Sequence, residues 1–176
     1  MKKFVLFILI AALLMLTACS ADESARSGDS YDSDKISKIV GIDLSDAEYM
    51  TVIDSHGGFH GDGCACVSIQ FEDDSCENII SDKEHWQPLP LSYNLCKIVY
   101  GVKEGEYTSA PYIKFDDDNT PAVPKIDEGY YFFLDRHSQR KDAYDDSEIF
   151  ERSSYNLTVA IYDSSTDVLY YLELDT

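Results

Sequence analysis

Residues 155–174 read YNLTVAIYDSSTDVLYYLEL, and the fold follows from how this stretch is read. Tyr155, Leu157, Val159 and Ile161 alternate with Asn156, Thr158 and Ala160, a period of two that belongs to a strand. After Asp163-Ser164-Ser165-Thr166, a run of turn formers, Val168, Tyr170, Leu172 and Leu174 repeat the pattern. Two alternating arms about a polar turn predict a β-hairpin whose apolar faces meet across the pair.

Working outward, GYYFFLDR at 129–136 is apolar on both faces and predicts a central strand covered on two sides. CACVSIQF at 64–71 puts Ala65, Val67, Ile69 and Phe71 on one face and Cys64, Cys66, Ser68 and Gln70 on the other. EYMTVID at 48–54 is a further strand, rich in β-branched residues. DDSCENIISDK at 73–83 reads as a short helix, opened by the Asp74 and Glu77 capping box, with Cys76, Ile79 and Ile80 on one face. Trp86 to Leu91 is extended by its prolines. The run 91–101 fits either a helix ending at Gly101, which is preferred, or a strand over 95–100, and PYIKF at 111–115 reads as a short edge strand in an otherwise loop-like 101–128. The expected class is α+β: an antiparallel sheet of about five strands with one or two short helices on one face.

The N-terminus carries a different signal. Met1-Lys2-Lys3 is a positive n-region, and Phe4–Leu16 is an unbroken apolar run. It is shorter than the roughly 20 residues that span a bilayer, so it reads as the h-region of a secretory signal. Leu16-Thr17-Ala18-Cys19 resembles the lipobox of bacterial lipoproteins. The resemblance implies cleavage before Cys19 and diacylglycerol, with fatty acids such as palmitate, on that cysteine. It also implies a protein held at the extracytoplasmic side of the cell membrane by its lipid. Acyl chains contribute about 0.8 kcal/mol per buried CH₂, enough for two of them to anchor a domain that itself stays in water. The expected division is 1–18 signal peptide, 19–35 lipidated cysteine and flexible acidic tether, and 36–176 one globular domain.

Asp and Glu total 33 against 14 Lys and Arg, a net charge of −19, and loss of Lys2 and Lys3 with the signal makes it more negative. That argues against a nucleic-acid partner and against contact of the domain with anionic lipid. In an exported domain Cys64, Cys66, Cys76 and Cys96 allow three disulfide pairings. Cys64 and Cys66 lie two apart on a strand, about 6.5–7 Å between Cα atoms, with Cβ atoms well beyond the ~3.8 Å a bridge requires.

The stretch that most resembles chemistry is DSHGGFHGDGCAC at 54–66. His56, His60, Asp62, Cys64 and Cys66 are residue types that bind Zn²⁺ or Ca²⁺, yet neither the zinc nor the calcium-loop spacing is met. Gly57, Gly58, Gly61 and Gly63 exclude a helix and suit a chain reversing between two strands. The preferred reading is therefore a hairpin connection with no cofactor, whose Asp54, His56, Phe59, His60 and Asp62 are candidates for binding, aided by loops 116–120 and 135–146. No GxSxG, HExxH, P-loop or dinucleotide fingerprint occurs.

The segments DSHGGFHGDG, YYFFLDRHS and SSYNLTVAIYDSSTDVLYYLELDT together resemble a set of small, uncharacterised exported bacterial lipoproteins, over most of residues 42–176. The resemblance implies export and anchoring but brings no activity. The leading expectation is a lipid-anchored module that binds an unknown protein or small molecule. Two alternatives stand beside it: a metal-assisted hydrolase using the His56/His60 loop, and an inhibitor or immunity-type protein against a cationic partner.

Overall fold

The computed structural model describes residues 31–57, 61–72 and 75–176. In chain order the elements are helix α1 (Ser33–Val40), strands β1 (Ala47–Asp54) and β2 (Gly63–Phe71), and helix α2 (Ser75–Ser81). Strand β3 (Trp86–Pro88) and helix α3 (Tyr93–Val99) come next, then the small strands β4 (Val102–Glu104) and β5 (Tyr107–Ser109). Strand β6 (Gly129–Asp135), a 3₁₀ turn at Ile149–Glu151, and strands β7 (Asn156–Asp163) and β8 (Val168–Asp175) complete it.

The C-terminal hairpin sits in the middle of the sheet. Six strands run in the order β1-β2-β8-β7-β6-β3, each antiparallel to its neighbours, and β4 and β5 form a separate two-stranded ribbon. Leu157 lies opposite Leu174, Val159 opposite Leu172 and Ile161 opposite Tyr170, the pairing the alternation predicted. Asp163 closes the turn, its Oδ1 accepting the amide and hydroxyl of Ser165 at 2.9 and 2.6 Å. Burial pushes the Asp163 carboxyl up, but these bonds and those from Thr166 outweigh it and hold it below the usual carboxylate range.

The α+β class is as read from the sequence, with two enlargements. The main sheet has six strands, and its helices cover both faces rather than one. On the first face Ala65, Val67 and Ile69 pack with Tyr162, Leu169 and Tyr171 beneath α1 and α2. On the second, Leu157, Val159, Ile161 and Leu172 pack beneath α3 and the 3₁₀ turn. The central hairpin is consequently buried on both sides, and Thr158, Ala160, Tyr162 and Tyr171 are fully enclosed although they fall on the more polar parity.

Residues 31–35, expected to end the tether, belong to the fold instead. Asp32 caps α1 by accepting the Lys35 amide at 2.6 Å, and Gly41 ends the helix in the left-handed region. Ile36 and Val40 are buried, and Trp86 Nε1 donates to the Val40 carbonyl at 2.8 Å, which fastens α1 to β3. The helix at 91–101 forms as α3, with Ser92 accepting the Leu95 amide. In α2, Cys76 and Ile80 are buried but Ile79 is exposed, because a short helix at the margin of the sheet buries a narrow stripe. Asp74 lies outside the described residues. PYIKF forms no strand; Tyr112 and Ile113 donate their amides to the Ile98 carbonyl beyond α3, and the strands in this region are β4 and β5. Among the described residues no helix is long and apolar enough to cross a membrane.

Candidate functional site

The segment 54–66 connects β1 to β2 as a hairpin. The Ser55 amide donates to the Cys64 carbonyl at 2.8 Å and the Cys64 amide to Ser55 Oγ at 2.9 Å, extending the ladder past Asp54. Gly63 is required by close approach: a Cβ there would stand 2.6 Å from His56 Cα, a backbone atom that cannot swing away. Phe59 and His60, two of the candidate residues, lie outside the described residues. Asp62 is exposed at the loop's far side, where its carbonyl faces the Gly57 amide.

His56 is turned inward. Its Nδ1 lies 2.7 Å from Asp54 Oδ1, which also accepts the His56 amide at 2.8 Å. The buried Nε2 is 3.2 Å from Asp175 Oδ2, close enough for charge interaction but off the line of a hydrogen bond. Asp175 is in turn held by Arg136 at 2.9 Å and Asn156 at 3.0 Å. Arg136 also donates to Thr158 Oγ1 and the Leu157 carbonyl. Beside this chain, buried Glu173 accepts the hydroxyls of Tyr31 at 2.7 Å and Tyr171 at 2.5 Å. Burial, followed by the Glu173 carboxylate, pushes both phenols well above the ordinary tyrosine range.

Of the residues singled out from sequence, Asp54 and His56 therefore meet, and they meet partners that sequence reasoning missed: Tyr31, Glu173 and Asp175. A signal for the last two was present. In VLYYLELD, Glu173 and Asp175 occupy the parity opposite Leu172 and Leu174, and in a strand covered on both sides that parity is interior. Tyr31 carried no such mark, since its neighbours are polar.

Among the described metal candidates, His56 and the two cysteines do not converge. Cys64 and Cys66 pack with the second face of the sheet, their sulfurs toward the carbonyls of Tyr112 and Ala122, whereas His56 joins Tyr31 and Glu173 on the first. Burial pushes the Cys64 thiol up and the Cys66 thiol up to about 12. Thiols so placed pack as small apolar groups. The four described cysteines, Cys64, Cys66, Cys76 and Cys96, are free. Among the described residues no group of three or more His, Cys, Asp or Glu side chains is set to hold a metal ion.

The two auxiliary loops part company. Loop 135–146 reaches the motif through Arg136 and Asp175, and with the segment to Arg152 it encloses a cavity of about 260 Å³ over the Asp135–Arg152 ion pair at 2.7 Å. Loop 116–120 folds on itself, the Thr120 amide donating to Asp116 and Lys114 bonding Asn119, and Asn119 lies beside the β4–β5 ribbon. His85 stacks on Tyr144, with ring centroids 3.4 Å apart, and so packs against the fold.

No protein-family model matches the chain, and no curated protein or solved structure matches it significantly.

Proposed function

We propose that this protein is a lipid-anchored, extracytoplasmic binding module and not a catalyst. One observation supports the binding half above the rest: His56, the one described histidine of the motif, is engaged by the fold. His56 is wedged between Asp54 and Asp175, and Arg136 neutralises Asp175 from behind. A general base or nucleophile must instead face a space where substrate can sit. The anchoring half rests on the lipobox Leu16-Thr17-Ala18-Cys19 and the charged, apolar and small-residue order before it.

Labelled palmitate and cell fractionation test the anchor. The wild-type protein should take label and sediment with membranes, and Cys19→Ala should do neither; an unlabelled, soluble wild type removes the anchoring half. Elemental analysis and melting with a chelator test the binding half. Stoichiometric zinc or calcium, or a melting temperature lowered by the chelator, would reinstate the hydrolase that uses His56, His60 and an aspartate.

A further inference from the structure

The two edges of the sheet are unlike. Strand β3 is short and ends in Pro88, which offers no amide, so that edge is blunted. Strand β1 is longer, contains no proline, lysine or arginine, and pairs only with β2. Met50 and Val52 on one face and Thr51 and Ile53 on the other are exposed, Met50 by 37%, Val52 by 39% and Ile53 by 49%. Natural edges of this kind are normally protected by a charge or a proline against further pairing. This one is open.

The hydrogen-bond parity says what it presents. The Ser55 amide points at Cys64 on β2, so by the period of two the Ile53 and Thr51 amides also face β2. The amides of Met50, Val52 and Asp54 then face outward. Those residues lie opposite Ile69, Val67 and Ala65, so their side chains share the first face of the sheet. An added strand thus meets two apolar side chains followed by a carboxylate; at the other end the register shifts between Ala47 and Tyr49, so Glu48 stands in a bulge where the alternation stops.

Charge selects the occupant. A second copy pairing antiparallel about Thr51 would bring Glu48 of each chain alongside Asp54 of the other, two like-charge encounters between molecules each of net charge −19. Residues 41–82, spanning β1, β2 and α2, contain no lysine or arginine, and Asp43, Asp46, Glu48 and Asp54 are all exposed there. We infer that β1 accepts an extended segment of a cationic protein as a seventh, antiparallel strand, with the pattern basic–x–apolar–x–apolar–x–basic. The inner pair covers Val52 and Met50; the base beyond Val52 meets Asp54, and the base beyond Met50 reaches toward Glu48 in the bulge. Backbone bonds supply the affinity and alternate side chains the selectivity. This deepens the binding reading above and is independent of the anchor.

The test uses full-length protein in mild nonionic detergent and a fluorescent peptide, Lys-Thr-Val-Thr-Val-Thr-Lys, with Glu-Thr-Val-Thr-Val-Thr-Glu as its control. Anisotropy should show saturable binding of the basic peptide, at least about tenfold tighter than the acidic one, and weakened by added salt. On binding, the amides of Met50 and Val52 should gain protection from hydrogen exchange, while Thr51 and Ile53 are protected already. Val52→Pro removes an outward amide and spares the β1–β2 ladder, so it should abolish binding. If that variant does not fold, Val52→Lys, a charge at the edge, should weaken the basic peptide while leaving the melting temperature unchanged. No binding at millimolar peptide, equal binding of the acidic peptide, or binding untouched by these variants overturns the inference. So does a wild-type dimer that Val52→Pro makes monomeric, which would put a second copy on β1. Failure of the anchor would show in fractionation and leave all these readings unaltered.

Discussion

At the scale of the residue, much of the polar chemistry that the sequence advertises is folded inward, and its signature is alkaline. Burial pushes the thiols of Cys66 and Cys76 from 9.0 up to about 12, and burial with a neighbouring carboxylate raises Tyr31, Tyr162 and Tyr171. A group whose folded pKa lies above its unfolded value is held in the protonated form by the fold. Its contribution is whole below the unfolded pKa and is lost as pH rises toward the folded one. For Cys66 and Cys76 that window runs from 9.0 to about 12, and the tyrosines join above about pH 10. Each titrating group removes about 1.4 kcal/mol per pH unit. Urea midpoints should therefore hold steady from pH 7 to about 8.5 and fall steeply beyond pH 9. A midpoint that climbs above pH 9 would mean that these side chains are not enclosed as described.

At the scale of the element, the C-terminal hairpin organises the rest. It stands at the centre of the sheet, paired on one side with β6 and on the other with β2. Ile161 is fully buried on the hairpin, whereas Ile53 stands 49% exposed on the edge strand. Ile161→Ala should cost about 3 kcal/mol in denaturant unfolding, and Ile53→Ala well under 1 kcal/mol; comparable losses would contradict the strand order. The hairpin was legible because period-two alternation and a polar turn are local signals. So was the loop character of the glycine-rich motif, whereas α3 was legible only in part, because Leu91, Leu95, Ile98 and Val99 fit a helix face while Leu95–Tyr100 also fits a strand. What was not legible is what covers each face, because that depends on strands far apart in the chain. Thr158 and Glu173 look solvent-facing along their own strands and are interior only because helices close both sides. Tyr31 fails for the same reason: its partner Glu173 lies at the opposite end of the chain. Part of the candidate site, Asp54 and His56, could be read as one motif, while Glu173 and Asp175 could be placed only once the cover of the sheet was known, and Tyr31 not at all.

At the scale of the whole molecule, charge works in opposite directions on stability and on binding. A net charge of −19 makes the folded form repel itself, and the exposed ion pairs Lys125–Asp127 and Lys141–Glu148 return little. Salt screens that repulsion over about 10 Å at 0.1 M. The pairs that matter for the fold, Arg136–Asp175 and Arg152–Asp135, are largely enclosed and are screened less. Raising sodium chloride from about 20 to about 300 mM should thus raise the melting temperature by about 2–4 °C, the shift that about 1 kcal/mol produces in a domain of this size. The same change should loosen a basic strand from β1, because there the interacting charges are opposite and exposed. A melting temperature that falls with salt would show attraction, not repulsion, governing the surface, and the acidic face would then lose its standing as the reason for choosing a cationic partner. Two titrations on one protein, run side by side, make that comparison free of differences in preparation.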